Sequence, residues 1–381
     1  MKILLLCSFY SNYVTQLFTY IRKYYPQISY SLLTRQEYVK DYTDEIVLRD
    51  DERIYGFLTD NQLQLKIAIW KLPHFDIIHT LWMESFWGWN AIALKKKASY
   101  WLCAIGGSDL YRFSKIPIEF FLQKRVIKRV NRFSSENEET REYFYQVYGE
   151  KYRKIPHDIC RFGVDILDSI DKISKNNMYS KQITDNFPQD KVIVLCGTNA
   201  RIEHNHEDII KAIQNMDCSC REKCFFVFPM TYPSGCEEYI SKIETSIAQV
   251  TDAYVILREY MNVDEMAELA IATDVMIHVQ TTDQLSSAMV SHMYHGNLVI
   301  AGAWLPYESL REKGVYFKSI NSLGDLSDSL DDALNNLNFY KNKCNSNRKI
   351  IYELSSWSII VKDWYRVYNN ILGGEKNVNT I

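Results

Sequence analysis

Residues 275–301 constrain the fold of this chain more than any other stretch. Two short apolar runs, Val275-Met276-Ile277-His278-Val279 and Leu298-Val299-Ile300-Ala301, bracket a segment in which Leu285, Ala288, Met289 and His292 share one helical face. Unbroken apolar runs of this length read as strands buried on both faces, and the segment between them reads as a helix stopped by a left-handed Gly296. Asp283 is a fitting N-cap for that helix. Strand, helix and strand in succession make a parallel crossover, and a parallel sheet needs helices on both of its faces. The loop after the first strand then opens at the carboxyl edge of the sheet, beside helix amides that suit an anion such as a phosphorylated ligand.

The same alternation runs through the rest of the sequence. In the first half, strands are expected at 3–7, 28–33, 77–81, 100–105 and 132–134, with helices such as 13–25 and 62–71 between them. The second half starts afresh at 191–196 and continues with 225–228, 254–257, 275–279, 298–301 and 315–317. This is an α/β chain of two doubly wound, Rossmann-like domains, and 381 residues suffice for both cores. Near residue 160 the sequence changes character: Lys154-Ile155-Pro156 leads to Arg161-Phe162-Gly163-Val164-Asp165 and then to a polar stretch, 168–190. A tight turn before a polar segment suits a hinge, so the domains are expected at 1–165 and 166–356. Trp357, Ile360, Val361, Trp364 and Tyr368 lie on one face of a last helix.

Composition narrows the setting. With 47% hydrophobic and 24% charged residues the chain is globular, and no segment is long and uncharged enough to cross a bilayer. Ile3-Leu4-Leu5-Leu6-Cys7 is too short for a secretory signal and reads as a buried strand. Nine cysteines, several inside apolar runs, suit a reducing, cytoplasmic compartment. Cys218, Cys220, Cys224 and Cys236 lack paired Cys-x2-Cys spacing and read as free thiols. His292 and His295 are spaced i, i+3 without a third ligand and read as structural, as does the strand residue His278. No metal is expected.

Charge is unevenly shared: residues 1–165 carry 24 Lys and Arg against 19 Asp and Glu, the remainder 20 against 28. The first half therefore favours an anionic partner. Nucleic acid is not expected, because the net charge is −3 and no recognised binding motif is present. Within 118–130 basic residues flank an apolar face, which suits either a solvated helix or contact with an anionic membrane. The charged stretch 44–53 reads as a solvated loop or helix face.

Three segments carry a resemblance. Residues 281–302 resemble the donor-site segment of retaining GT-B glycosyltransferases, family four in particular, in which an acidic residue, seven intervening residues and a Glu lie along a helix. Asp283 falls on the first position and Ser291 on the second, where the family's carboxylate holds the ribose. Phe162-Gly163-Val164-Asp165 is similar to the end of the family's first domain, and Ile105-Gly106-Gly107-Ser108-Asp109 to its Gly-Ser-Asp loop. The resemblance implies a GT-B enzyme with its active site in a cleft between the domains. The first domain would take the acceptor, the second a nucleotide-sugar donor, and the C-terminal helix (357–381) would cross back onto the first. It further implies a hexosyltransferase, retaining and metal-independent, without a cofactor. The acceptor would be a glycan or lipid-linked, in bacterial surface-polysaccharide synthesis on the inner face of the plasma membrane.

Sugar transfer from a nucleotide requires a cradle for the diphosphate, a grip on the sugar and a route for the acceptor's proton. For the cradle the sequence offers Gly197 and Arg201; the family's usual Arg and Lys fall on Asn199 and His204. Asp283 would accept from sugar hydroxyls, the amides of Gln284, Leu285 and Ser286 would face the diphosphate, and Ser291 would reach a ribose hydroxyl. On the acceptor side Gly106, Gly107 and Ser108 would let a ligand approach the backbone. Asp109 is the preferred catalytic residue, with helix capping as its competing account. His79, at the end of an apolar run, resembles a family position lining the acceptor, whereas such a histidine commonly sits in a core. Two other readings remain open: a sugar-nucleotide epimerase or hydrolase, and a non-catalytic GT-B partner subunit.

Overall fold

The computed structural model describes residues 1–58, 62–176 and 182–373. Its chain divides into two compact units, Met1–Gly163 joined by the segment that begins at Trp357, and Val164–Ser356. Each is built on one wholly parallel sheet.

In the first unit the strands are β1 (Lys2–Leu6), β2 (Ser29–Arg35), β3 (Ile54–Phe57), β4 (Phe75–Thr80), β5 (Ala98–Ala104), β6 (Arg132–Ser135) and β7 (His157–Ile159), in the order β3-β2-β1-β4-β5-β6-β7. The second sheet contains β8 (Val192–Cys196), β9 (Cys224–Pro229), β10 (Tyr254–Leu257), β11 (Val275–His278), β12 (Leu298–Gly302) and β13 (Lys318–Ile320), in the order β10-β9-β8-β11-β12-β13. In both, the order reverses beside the first strand, so the β1/β4 and β8/β11 boundaries are switch points, where loops diverge and leave a crevice. Apolar side chains on both faces of each sheet make two cores per unit, as buried parallel strands require.

Several expectations need correction. Val315 and Phe317 are buried, but the strand they announce begins at Lys318. The edge strands β3 and β7 carry only one fully buried side chain between them and gave no apolar run to read. Within the charged stretch 44–53, Glu52 is fully buried. It pairs with Arg22 at 2.5 Å and accepts from the amides of Tyr30 at 3.1 Å and Arg49 at 3.0 Å.

The helix Trp357–Ile371 belongs to the first unit. Trp357 Nε1 donates to Gln16 Oε1 at 3.0 Å, Trp364 Nε1 donates to the Arg161 carbonyl at 2.9 Å, and the Tyr365 ring stacks on Tyr25 with centroids 3.7 Å apart. Residues 374–381, which the expected helix included, lie outside the described residues. Gly163 sits against this helix: a Cβ there would lie 2.4 Å from the Trp357 indole. Because Trp357 is buried in well-packed surroundings, Gly163→Ala is expected to cost about 1–3 kcal/mol. Denaturant unfolding measures this, and a variant as stable as the parent would contradict it.

Candidate functional site

At the β8/β11 switch point two loops lie side by side. The first leaves β8 through Gly197, whose φ of 73° is left-handed and whose missing Cβ would lie 2.7 Å from His206 Nε2. The second leaves β11 and runs to the helix Ser287–His295. They are tied by Thr281 N donating to the Glu203 carbonyl at 2.8 Å and by Asn205 Nδ2 donating to the Val279 carbonyl at 2.7 Å.

The first loop is held by its own polar groups. Asn199 Oδ1 accepts from Arg201 N at 3.0 Å, its Nδ2 meets Tyr232 Oη at 3.3 Å, and His204, buried, has Nε2 3.4 Å from Thr198 Oγ1. Asn199 and His204 thus serve the loop's shape. Arg201 is exposed, and its guanidinium has no hydrogen-bond or ion-pair partner among the described residues. It is the cation this loop can offer to an anion.

Asp283 is not the N-cap expected from sequence. Ser286 caps the helix, its hydroxyl accepting from Met289 N at 3.3 Å, so the amides of Gln284, Leu285 and Ser286 precede the first turn. Asp283 instead accepts from Tyr307 Oη and lies 3.4 Å from His278 Nε2, which itself is 2.8 Å from Tyr307 Oη. His278 is therefore more than a strand residue: with Tyr307 it fixes the carboxylate at the strand end. Ser291 is buried and donates to the Ser287 carbonyl at 2.8 Å, so its hydroxyl is engaged inside the helix. The expectation that it reaches a ribose fails on that geometry. His292 meets Asn297 Nδ2 at 2.9 Å, a structural place as expected.

In the first unit, Asp109 is the third residue of the helix Gly107–Tyr111 and is 3% exposed. Its carboxylate accepts from Gly106 N at 3.1 Å, Met83 N at 2.5 Å and Leu110 N at 3.2 Å. The capping account describes it: Asp109 closes the Gly106-Gly107-Ser108 turn onto the loop after β4, and burial raises its pKa. It positions that turn and has no surface for a substrate. His79 is fully enclosed, with Nδ1 2.9 Å from Tyr368 Oη and the Trp364 ring 5.0 Å away. Burial pushes its pKa down to about 3, so it is a neutral core residue.

The β1/β4 switch point holds a residue that sequence reasoning missed. Glu84, half-buried after β4, accepts from Ser8 N at 3.2 Å, from the Ser8 hydroxyl, and from Trp87 Nε1 at 3.2 Å. Burial pushes its pKa up to about 7, Ser8 and Trp87 oppose the shift, and nearby Asp109 adds to it. Beside it the rings of Phe9 and Trp82 are 4.7 Å apart, and Phe9 is exposed. Only the strand order shows that Ser8 and Glu84 meet.

Two doubly wound sheets, each with polar loops converging at its switch point, define the GT-B class of fold. Neither a protein-family profile nor a curated protein sequence matches the chain. Solved structures do. HepE from Anabaena, in complex with UDP and glucose, is similar over 97% of this chain and 100% of its own, with a TM-score of 0.74 at 13% identity. Sucrose-phosphate synthase from Thermosynechococcus elongatus is similar over 98% and 100%, with a TM-score of 0.76 at 12% identity. For the α,α-trehalose 6-phosphate synthase of Burkholderia multivorans the values are 98%, 99%, 0.70 and 8%.

Proposed function

We propose that this chain is a glycosyltransferase that takes a sugar from a nucleotide-sugar donor bound by the Val164–Ser356 unit. One observation carries the reading: at a single switch point an unpartnered exposed cation, Arg201, stands on the loop bonded to the one that holds Asp283 in place. Such a pair serves the two ends of a nucleotide sugar, the cation meeting the diphosphate as it departs and the carboxylate accepting from sugar hydroxyls. Gly197 lets the backbone approach the phosphates closely. The likeness to HepE, solved in complex with UDP and glucose, supports a nucleotide-sugar donor.

The acceptor side falls to the Met1–Gly163 unit. There the turn 106–108 shapes the surface and Glu84, poised near neutrality, is the group able to exchange a proton with an acceptor hydroxyl. Transfer with retention, without metal or cofactor, to a glycan or lipid-linked acceptor in bacterial surface-polysaccharide synthesis completes the proposal. Relatedness to family four rests on the three sequence segments.

Thermal unfolding with UDP, GDP, dTDP and CMP, and with their sugar conjugates, tests the donor site. One nucleotide at a hundred times its Kd is expected to stabilise the protein by about 2.7 kcal/mol. Arg201→Ala and Asp283→Asn should each weaken binding of that nucleotide or its sugar conjugate by about tenfold or more, as loss of a charge-assisted hydrogen bond does. The engaged hydroxyl of Ser291 favours a second reading, a non-catalytic partner subunit, since that side chain is committed to the helix backbone. No shift with any nucleotide would select that reading. A donor split by water without added acceptor would select a hydrolase, and a donor converted to its intact epimer would select an epimerase.

A further inference from the structure

Two helices of the Met1–Gly163 unit are apolar on both faces. Gln62–Lys71 buries Leu65 and Ile69 yet leaves Leu63, Ile67 and Trp70 exposed, Trp70 at 77%. Pro117–Ile127 buries Leu122, Val126 and Ile127 yet exposes Ile118 and Phe121. A globular helix normally turns its second face polar, and contiguous apolar surface of this kind marks a contact surface.

The turn Ser85–Asn90 touches both helices, with Asn90 Nδ2 donating to Gln62 Oε1 at 2.8 Å. Arg125 Nε donates to the Gly88 carbonyl at 2.9 Å, and a Cβ on Gly88 would lie 2.5 Å from the Leu122 carbonyl, so turn and helix are in intimate contact. Trp89, on that turn, is 51% exposed. Between Trp70 and Trp89 runs an open groove of about 690 Å³, lined also by Ile67 and Ile92, with Lys66 and Lys96 at its wall.

Among the described residues that line this groove the charged side chains, Lys66, Lys96, Lys97 and Arg125, are all basic. Residues 62–131 contain eleven Lys and Arg against four carboxylates. All four carboxylates are bonded to the protein: Glu84 and Asp109 as described, Asp76 to the Lys2 amide at 2.7 Å, and Glu119 to the Ser85 hydroxyl. Lys66, Lys71, Lys96 and Lys128 remain exposed.

We propose that this face docks on the surface of an anionic lipid bilayer, with Trp70, Trp89 and Ile67 seated at the boundary of headgroups and acyl chains and the lysines among the headgroups. The proposal does not depend on the glycosyl-transfer reading. Indole rings and aliphatic side chains beside lysines are the pairing such an interface accepts, since each lysine near it adds electrostatic attraction and each buried apolar group adds depth. A second copy of the chain fits poorly: a two-fold contact sets the same patch against itself and would oppose these lysines to their own copies. Nucleic acid would leave Leu63, Ile67 and Ile118 without a partner, because phosphates and bases offer aliphatic groups little.

The test is sedimentation of the full chain with vesicles of phosphatidylcholine alone and with about a third phosphatidylglycerol, over a range of salt. The chain should sediment with the anionic vesicles and not with the neutral ones, and high salt should release it. Ile67→Ser with Trp70→Ser should reduce the bound fraction at least tenfold, and Lys66→Glu with Lys96→Glu should abolish the preference for anionic lipid. Because all four positions are exposed, thermal midpoints should stay near the parent's, which separates lost docking from lost folding. Failure to sediment, or equal sedimentation by the variants, would overturn the proposal. So would a lipid-free oligomer lost on substituting Trp70, which assigns the face to a second copy, or equal competition by single-stranded DNA. Nucleotide binding in the same preparation keeps this outcome separate from that of the donor site.

Discussion

Acidification from pH 7 to pH 5 is expected to destabilise the Val164–Ser356 unit by about 6 kcal/mol, more than it destabilises the Met1–Gly163 unit. The cause is three histidines that burial keeps neutral: His206 and His295, each pushed down to about 4, and His292, pushed down to about 3. For His292 the nearby His295 and His278 add to burial, and for His295 the cations Arg348 and Lys341 do. Above pH 6.5 neither the folded nor the unfolded chain charges these rings, so they leave stability unchanged. Below it the unfolded chain binds a proton at each and the folded one does not, so stability falls until pH reaches the folded values. Each ring contributes at most about 1.4 kcal/mol per pH unit, and three contribute about 4. Over the roughly 1.5 units between pH 6.5 and pH 5 the three together remove about 6 kcal/mol, a large share of the about 5–15 kcal/mol that holds a domain folded.

The other unit is partly protected. His79 and His157 are both pushed down to about 3 and act in the same direction. Glu84 acts against them: raised to about 7, it takes up a proton in the folded state between pH 7 and the unfolded carboxyl value, and so adds stability as pH falls there. The tryptophans give a readout, since Trp304 alone lies at 164–356 and the other seven lie in the Met1–Gly163 unit or its C-terminal helix. Helical circular dichroism should therefore fall at a higher pH than the main tryptophan fluorescence changes. Coincident transitions, or a folded signal kept down to pH 4, would show that these histidines do not govern acid stability.

The sequence was most informative where period and burial coincide. Strands buried on both faces show as unbroken apolar runs, which is why β8, β11 and β12 could be read to within a residue or two. The edge strand β7, His157-Asp158-Ile159, is mostly polar and leaves no such trace, whereas the edge strand β10, equally half-buried, keeps the apolar run Tyr254–Leu257 and could be read. The site was less legible because its decisive contacts are long-range. Asp283 looked like a cap because an acidic residue stands a few positions before a helical face. Its real partners are Tyr307, which is 24 residues away, and His278. Glu84 carried no signal at all, since it depends on Ser8, 76 residues distant. His79 and Asp109 show the reverse: residues of catalytic type at the right strand ends, turned inward and bonded within the core through His79 Nδ1 and the Asp109 carboxylate.

Removing Glu268 is expected to be the most damaging single substitution in the Val164–Ser356 unit. Its carboxylate, 3% exposed on the helix Val263–Ala272, accepts from the amides of Gln182 at 2.9 Å, Ile183 at 3.1 Å and Thr184 at 2.7 Å, and from Thr184 Oγ1 at 2.6 Å. Three successive amides on one carboxylate bind 182–184 as an anion would be bound, and they leave no other acceptor for those donors. Glu268→Ala leaves these donors without their acceptor, Thr184 N and Oγ1 in a buried place, and is expected to cost about 3–5 kcal/mol. Glu268→Gln keeps one carbonyl oxygen and loses the charge, so it should cost about half as much. Phe187, which packs on Phe225 with centroids 5.5 Å apart, is tethered through the same segment, so proteolysis should first appear at 182–190 in the alanine variant. Denaturant midpoints of the two variants give the comparison: an alanine variant within about 0.5 kcal/mol of the parent would mean that water satisfies these amides as well as the carboxylate does.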